Sequence, residues 1–402
     1  MAKKDISAMG ILRTISNAFT DNRLSVDISK SLEDASKAPA AYPKGHLKPE
    51  LLKHSSPLVP MSVGYDGAVY GATGGTRNII WRSDDSLVTN ERGNTFAEGS
   101  IVSVTRSKEG YIVILNNSTT NVGEVYFSED FTSGFTKVLT MTKRTNKLTV
   151  HYYHGEITKL CAVGEYTSDR RGEAHNLYLS LDGGRTWDKT LETPVDDAVN
   201  ANNHWHSVSY DPYTGNLYAS NGDGANRRFW ESNDLGNNWN TVDVPVNDYG
   251  MPDLRQPTLM VSMNKKIILT PDTELPPVVY SLIKDENFKS INSSKFILKW
   301  EHSVYDGEST AQFFAVQPYA LNDDELYFVF PSNSTKNQHF IVATGDGGET
   351  FHTVFGVRLD KYTDKNMNEG IVGPDKNGYL YWYIVADTVY VAKAKKLEWE
   401  RH

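Results

Sequence analysis

Short apolar and aromatic runs, each interrupted by a polar turn, recur through most of the chain. Seven such units follow residue 60: "MSVGYDGAVYGA", "VSVTRSKEGYIVIL", "LTVHYYHGEITKLCAV", "HSVSYDPYTGNLYAS", "LMVSMNKKIILT", "FFAVQPYALNDDELYFVF" and "GIVGPDKNGYLYWYIV". Turn residues flanked by β-branched and aromatic runs are typical of β-hairpins. The pattern therefore predicts seven hairpins.

The first 60 residues follow a different pattern. Apolar residues recur at steps of three or four at Ile6, Met9, Leu12, Ile15 and Phe19, and again at steps of four at Leu24, Ile28 and Leu32, which is helical periodicity. The prolines of "KAPAAYPKGHLKPELLKHSSPLVP" then favour an extended linker. We interpret residues 1–60 as a helical and extended N-terminal arm and linker for docking or oligomerisation. Its apolar stripe needs a surface, either on its own body or a sister subunit, or in a larger assembly. Removal of residues 1–55 is expected to leave a folded domain.

A second repeat, Ser/Thr-x-Asp-x-Gly-x-x-aromatic, occurs between the hairpins. Its three good copies contain Ser180, Asp182, Gly184 and Trp187, then Ser232, Asp234, Gly236 and Trp239, then Thr344, Asp346, Gly348 and Phe351. Weaker copies lie near Asp85, Asp130 and Asp285, so that successive acids are 45, 52, 52, 51 and 61 residues apart. Periods of this length indicate a propeller or a similar array. Residues 61–402 are predicted to form an all-β, seven-bladed β-propeller, with six blades as the alternative.

Composition and charge restrict the possible classes of function. The 22 Tyr and 8 Trp favour strands, and the formal charge of −9 argues against nucleic-acid binding. Cys161 is the only cysteine, and apolar runs long enough to insert in a membrane are missing from the sequence. The N-terminus lacks a secretory signal, so we expect synthesis in a host cytoplasm.

The aspartate pattern resembles the Asp box of the sialidase-like, or BNR-repeat, superfamily. The resemblance implies that each box forms the turn between the third and fourth strands of a blade. Its Asp would accept bonds from turn N–H groups and its aromatic residue would pack between neighbouring sheets. The boxes are therefore interpreted as structural, and a ligand is expected at the opposite rim.

The fourth unit contains most of the candidate ligand-binding residues at that opposite rim. The candidate ligand-binding residues are Asn203, His204, Trp205, His206, Asp223, Arg227, Arg228 and Arg255. Further charged candidates are Arg77, Arg170, Arg171, Glu173, Glu308 and Glu369. Aromatic rings, imidazoles and guanidinium groups suit carbohydrate, whose C–H faces stack on rings and whose polar groups take planar donors. His204 and His206 share one strand face but lack an evident third ligand, so neither a metal nor another cofactor is expected.

Two functions of different class follow. The run "HWHSVSYDPYTGNLYASNGD" resembles a segment of phage and bacterial BNR-repeat proteins. Some of those proteins are labelled as glycosidases. The docking arm, the missing export signal and the missing catalytic signature favour a non-catalytic propeller of a phage tail or virion that binds a carbohydrate receptor or is a structural tail component. Such a protein would be an oligomer located in the virion, with its arm contacting other tail proteins.

The alternative is a glycoside hydrolase of sialidase-like fold acting on a surface polysaccharide. The family's Arg-Ile-Pro signature is missing at "LVPMSVGYDG", although Tyr379, Tyr381 or Tyr383 is a conceivable nucleophile. An intracellular assembly factor of BNR type is a third interpretation.

Overall fold

A computed structural model describes most of the chain between residues 41 and 401. The described residues are 41–53, 58–74, 76–152, 159–166, 174–193, 204–222, 227–244, 255–272, 278–284, 287–291, 296–301, 316–320, 324–330, 338–358, 370–385 and 389–401. Within these ranges every regular element is a β-strand, and no helix has the length and apolar character needed to cross a membrane. The helices predicted between residues 6 and 32 lie outside them.

The first four blades are four-stranded antiparallel sheets formed in chain order. Blade one contains β3 (Leu58–Val63), β4 (Val69–Thr73), β5 (Ile79–Ser83) and β6 (Glu91–Thr95). Blade two contains β7 (Gly99–Arg106), β8 (Tyr111–Asn117), β9 (Gly123–Ser128) and β10 (Thr136–Thr140). Blade three contains β11 (Thr145–Tyr152), β12 (Cys161–Glu165), β13 (Asn176–Ser180) and β14 (Asp188–Glu192). Blade four contains β15 (His204–Tyr210), β16 (Leu217–Gly222), β17 (Arg228–Ser232) and β18 (Asn240–Val242).

The last three blades complete the ring. Blade five contains β19 (Pro257–Ser262), β20 (Lys266–Pro271), β21 (Val278–Ile283) and β22 (Phe296–Glu301). Blade six contains β23 (Val316–Ala320), β24 (Leu326–Phe330), β25 (Gln338–Thr344) and β26 (His352–Arg358). Blade seven contains β27 (Ile371–Val372), β28 (Tyr379–Val385), β29 (Val389–Lys395) and β2 (Glu50–Lys53). A separate ribbon pairs β1 (Ala41–Pro43) with β30 (Trp399–Arg401).

The first strands of the blades lie at the centre. Each contacts its counterpart in the next blade around the ring, from β3 through β27 and back to β3, and β11 also contacts β23 from across the ring. This arrangement confirms the predicted seven-bladed β-propeller and excludes the six-bladed alternative.

Apolar side chains fill the seams between blades. The middle strands are covered on both faces, so that β13 and β16 are buried at every position, whereas the outer strand β14 has exposed and half-buried residues. At the seam between blades three and four, Leu177 packs with Trp205 and Leu217. Val372 and Tyr381 of blade seven belong to the same cluster as Leu87 of blade one, so the ring is closed by packing as well as by pairing.

The N-terminal part of the chain supplies the outer strand of the last blade. Strand β2 pairs antiparallel with β29, with Leu51 opposite Ala392 and Leu52 opposite Val391. Residues 41–53 therefore belong to the propeller, and β3 begins at Leu58. The predicted boundary at residue 60 is therefore too late, because the propeller already includes the described residues from Ala41 onward.

The ribbon β1–β30 also departs from expectation. The sequence "DTVYVAKAKKLEW" predicts a strand pair within the seventh repeat, but β30 pairs with β1 instead. The Ala41 amide donates to Asp346 Oδ2 at 3.0 Å, and the Ala41 carbonyl lies 2.9 Å from His352 Nε2. The ribbon is thereby held against the Asp346 turn of blade six.

The turns that carry the aspartate pattern share one set of hydrogen bonds. In blade three, Ser180 Oγ donates to Asp182 at 2.8 Å and accepts from the Gly184 amide at 2.8 Å. The Thr186 amide donates to Asp182 at 2.9 Å. The turns around Asp234 and Asp346 repeat these bonds, and all three join a third strand to a fourth.

The weaker copies differ from one another. The turn around Asp85 keeps the same bonds, with Leu87 at a φ of 67° in place of the glycine. The turn around Asp130 is built differently, since Ser128 Oγ donates to the Ser133 carbonyl at 2.6 Å. Asp285 lies outside the described residues.

Candidate functional site

The propeller has two rims of different character. The Asp-turn rim is formed by the loops between first and second strands and by the turns between third and fourth strands. The crossover rim is formed by the loops between second and third strands and by the connections from one blade to the next. His204, at the start of β15, and Gly222, at the end of β16, both lie at the crossover rim.

Two stacked histidines form the centre of the candidate site. The Nε2 atoms of His204 and His206 are 2.9 Å apart, and their ring centroids are 4.8 Å apart with an interplanar angle of 25°. Alternation along β15 places both side chains on one face, as their spacing predicts. Gly222 makes room for the second ring, because a Cβ there would lie 2.4 Å from His206 Cε1.

Residues of blades three and five flank the histidine pair. The Tyr166 ring lies 4.2 Å from that of His204, between centroids, and the Tyr166 amide donates to the Arg144 carbonyl at 2.7 Å. On the other side Asp272 Oδ2 lies 3.8 Å from His206 Nδ1. Tyr166 directly follows β12 and Asp272 directly follows β20. The site therefore spans three consecutive blades at the crossover rim.

Burial keeps His206 uncharged at neutral pH. Burial lowers the pKa of His206 to about 4, the nearby Arg227 charge acts in the same direction, and a hydrogen bond from the imidazole to the Gln256 backbone carbonyl opposes both. At neutral pH the contact between His206 and Asp272 is therefore a polar contact and not an ion pair. A neutral imidazole both donates and accepts, so each ring can satisfy its neighbour.

The structure separates the predicted ligand-binding residues into two groups. His204 and His206 are buried, so they form the base of the site and support the residues above them. Arg227 and Arg255 are half-buried, and Arg228 is exposed with its Nη1 donating to the Arg227 carbonyl at 3.0 Å. Asn203 and Asp223 lie outside the described residues, as do Arg170, Arg171, Glu173, Glu308 and Glu369.

Trp205 does not have the ligand-stacking position expected of it. Its side chain is fully buried at the seam between blades three and four, where a Cβ at Gly164 would lie 2.6 Å from Trp205 Cβ. Alternation along β15 explains this placement, because Trp205 points away from the face that His204 and His206 share. In this structure Trp205 is a packing residue.

The sequence did not single out Tyr166, Gln256 and Asp272, although the fold brings them to the histidine pair. Each of the three residues lies next to the end of a strand, and this position is the only feature of the sequence that could have indicated a role at the rim. Arg77, by contrast, was a candidate and is half-buried at the crossover rim, where its carbonyl accepts from the Ile101 amide at 2.7 Å.

The aspartates of the repeated turns accept hydrogen bonds within their own turns at the Asp-turn rim. Burial alone would raise the pKa of Asp182, but hydrogen bonds from Thr186 and Ser180 outweigh it and hold that pKa below its ordinary value. The pKa of Asp234 is likewise lowered, chiefly by the Asn238 side chain. These carboxylates lie on separate blades and each closes its own turn, which is a structural role.

Tyr381, one of the conceivable nucleophiles, is buried at the seam between blades seven and one. Its hydroxyl donates to Asp375 Oδ2 at 2.5 Å. Burial and this carboxylate raise the pKa of Tyr381 well above its ordinary value. Such a phenol is a poor source of phenolate, and it lies towards the Asp-turn rim. Among the described residues, no group of three or more His, Cys, Asp or Glu side chains is placed to hold a metal ion.

The fold defines this protein as a seven-bladed β-propeller. No protein-family model and no curated protein matches the sequence. Solved structures do match the fold, and one is a GH74 xyloglucanase from Xanthomonas campestris, with a TM-score of 0.52 and 12% identity over 88% of this chain. This chain spans 55% of that enzyme's length.

Two further similar structures are shorter than the xyloglucanase. YCF48 bound to D1 peptide has a TM-score of 0.51 and 9% identity, covering 89% of this chain and 98% of its own. An ulvan lyase of polysaccharide lyase family PL25 has a TM-score of 0.48 and 12% identity, covering 89% and 97%. The similarity to the xyloglucanase and to YCF48 establishes the fold alone.

Proposed function

We propose that this protein is a non-catalytic β-propeller that binds a carbohydrate at its crossover rim. The observation that carries the proposal is the grouping of Tyr166, His204, His206 and Arg227 at strand ends of blades three and four. Flat rings and guanidinium groups above a neutral, hydrogen-bonding base suit a sugar better than they suit a strongly charged or purely apolar ligand.

We also propose that the repeated aspartate turns are Asp boxes and that the chain is a sialidase-like, BNR-repeat propeller. The hydrogen bonds shared by the turns around Asp182, Asp234 and Asp346 support this assignment. The engagement of these aspartates at the far rim supports a structural role for them and a binding role for the crossover rim.

As to location, we propose a phage tail or virion protein that is oligomeric and contacts other tail proteins through its N-terminal segment. Support comes from the resemblance of the fourth unit to phage BNR-repeat proteins. It also comes from the anchoring of Ala41 at Asp346, because attachment at the Asp-turn rim leaves the crossover rim free for a receptor. Mass spectrometry of particles purified from a lysed host tests this location, and particles without the protein would contradict it.

Glycan binding is tested with the full chain on a glycan array, followed by calorimetry with the best ligand. Arg227→Gln and Arg255→Gln are each expected to weaken binding about tenfold, since a hydrogen bond to a charged group is worth ~1.5 kcal/mol. The matched control is Arg185→Gln, because Arg185 lies on the Asp-turn rim and pairs with Glu129 at 2.9 Å.

The outcomes discriminate between the functions. Binding that all three variants retain would place the ligand elsewhere and refute the proposed site. Cleavage of the bound glycan, detected by mass spectrometry of the incubated ligand, would replace the proposal with the glycoside hydrolase.

A further inference from the structure

Most of the exposed large apolar side chains of the described residues lie at the Asp-turn rim. Six large apolar side chains are exposed among the described residues, at Tyr42, Leu51, Tyr65, Val88, Leu181 and Tyr213. Leu51 lies on the outer strand β2, and the other five lie on or beside loops of the Asp-turn rim. Val88 is 74% exposed at the tip of its turn. An apolar surface on one rim marks a site of contact with protein.

Three of these side chains lie along one path over blades six, seven and one. Tyr42 belongs to the β1–β30 ribbon, and the Lys396 amide just before that ribbon donates to the Gly378 carbonyl of blade seven at 3.0 Å. From the same blade-seven turn, the Lys376 amide donates to Gly67 of blade one at 2.9 Å, and its ammonium lies 3.2 Å from Asp84. Gly67 shares a turn with Tyr65, and Asp84 shares a turn with Val88.

The N-terminal segment begins its path on this rim. Residues 1–40 lie outside the described residues, and they join the propeller at Ala41, whose amide is held by Asp346. The first apolar stripe, Ile6 to Phe19, would be about 20 Å long as a helix, at ~1.5 Å per residue. The 40 residues are thus long enough to run from Ala41 over blade seven to blade one. A single amphipathic helix of this length is unstable in water without a surface to cover.

We infer that residues 1–36 of the free protein lie on the Asp-turn rim of their own chain, with the apolar stripe covering Tyr65 and Val88. The inference combines two independent features. Exposed apolar side chains lie on the Asp-turn rim, and an apolar segment is tethered at its edge. The inference does not depend on glycan binding, which belongs to the opposite rim.

Photo-crosslinking of the full chain tests the contact. p-Benzoylphenylalanine replaces Tyr65 in one sample and Leu51 in a control sample, since Leu51 is at least as exposed, 50% against 41%, but lies on the outer strand. Crosslinked peptides from residues 1–36 are expected with the probe at position 65 and not with the probe at position 51. Leu12→Asp, within the stripe, should reduce the yield at least about fivefold, and Thr14→Asp, on the opposite face of the helix, should leave it unchanged.

Mixing isotopically heavy and light chains before irradiation separates the possible partners. Crosslinks confined to one isotope are expected, because the segment covers its own chain. Crosslinks that combine heavy and light peptides would overturn the inference in favour of a second copy. A probe at position 65 that captures no peptide from residues 1–36 would overturn it outright, and thermal melting of each variant shows that the propeller itself is intact.

Discussion

His206 couples the stability of the propeller to acid. In the folded chain its pKa is about 4, because burial disfavours the imidazolium, whereas an unfolded histidine has a pKa of about 6.5. Between these values the unfolded chain binds more protons than the folded chain, so the free energy of unfolding falls as pH falls. The full window is worth about 3 kcal/mol for this one group.

This linkage can be measured by urea unfolding between pH 7 and pH 4. His206→Gln is expected to lose less stability on acidification than the parent chain does, by about 2 kcal/mol at pH 5. His46→Gln is the matched control, because it replaces an exposed imidazole instead of a buried one. The measurement compares how steeply the free energy of unfolding falls with pH. A variant that differs in stability at pH 7 can therefore still be compared with the parent chain. Parallel curves for all three proteins would show that His206 is not held neutral.

Residue-level prediction succeeded where alternation along a strand decides the outcome. The spacing of His204 and His206 placed both imidazoles on one face, and the same rule puts Trp205 on the other. The sequence could not say which face meets the neighbouring blade, because that depends on how the sheets stack. The stacking turned Trp205 into a seam residue and brought Tyr166 to the imidazoles from a different blade.

At the scale of the element, the repeated turn connects blades as well as strands. Gly236 has a φ of +86°, and a Cβ there would lie 2.5 Å from Leu179 Cδ1 and from Thr190 Oγ1 of blade three. Gly184 and Gly348 meet Ile112 and Ile268 of their preceding blades in the same way. The glycine of the pattern thus serves both the left-handed backbone and the close approach of the previous blade.

Gly215 allows these two roles to be separated. It lies in the β15–β16 turn of the same blade with a φ of +80°, and a Cβ there would meet nothing within 4 Å. Gly215→Ala should cost about 1 kcal/mol for the backbone alone. Gly236→Ala should cost about 2–4 kcal/mol, because overpacking against Leu179 and Thr190 adds to the same backbone cost. Urea unfolding measures both, and equal losses would show that the glycine serves only the turn.

The element pattern was readable from the sequence for a physical reason. Each hairpin and each aspartate turn is local, so residues within about ten positions determine it. The Asp130 turn shows the limit of this reading. It has an acid at the right interval, but it lacks the glycine two residues later, and its hydrogen bonds follow another arrangement.

At the scale of the molecule, closure of the ring is the feature that could not be predicted from the sequence. Strand β2 is only four residues long, reads "ELLK" without alternation or β-branched residues, and lies between prolines. Its partner β29 is more than 300 residues away, so no local pattern could predict the pairing. Residues 41–53 therefore looked like linker, although they seal the last blade and hold the ribbon to blade six.

Two truncations test this closure. Removing residues 1–40 keeps β1 and β2, so a cooperative unfolding transition close to that of the full chain is expected. Removing residues 1–55 deletes both strands and leaves β29, which contains Val391 and Ala392, as an unpaired edge. Because β2 pairs with β29, the expectation from the sequence that this shorter chain stays folded is reversed. We expect it to aggregate or to melt at a clearly lower temperature, because open edges pair with other chains and the seam loses its cover. Circular dichroism melting and size-exclusion chromatography distinguish the two. If a chain that lacks residues 1–55 melts like the full protein, then the pairing of β2 with β29 is not needed to close the ring. Packing at the seams between blades would then be sufficient.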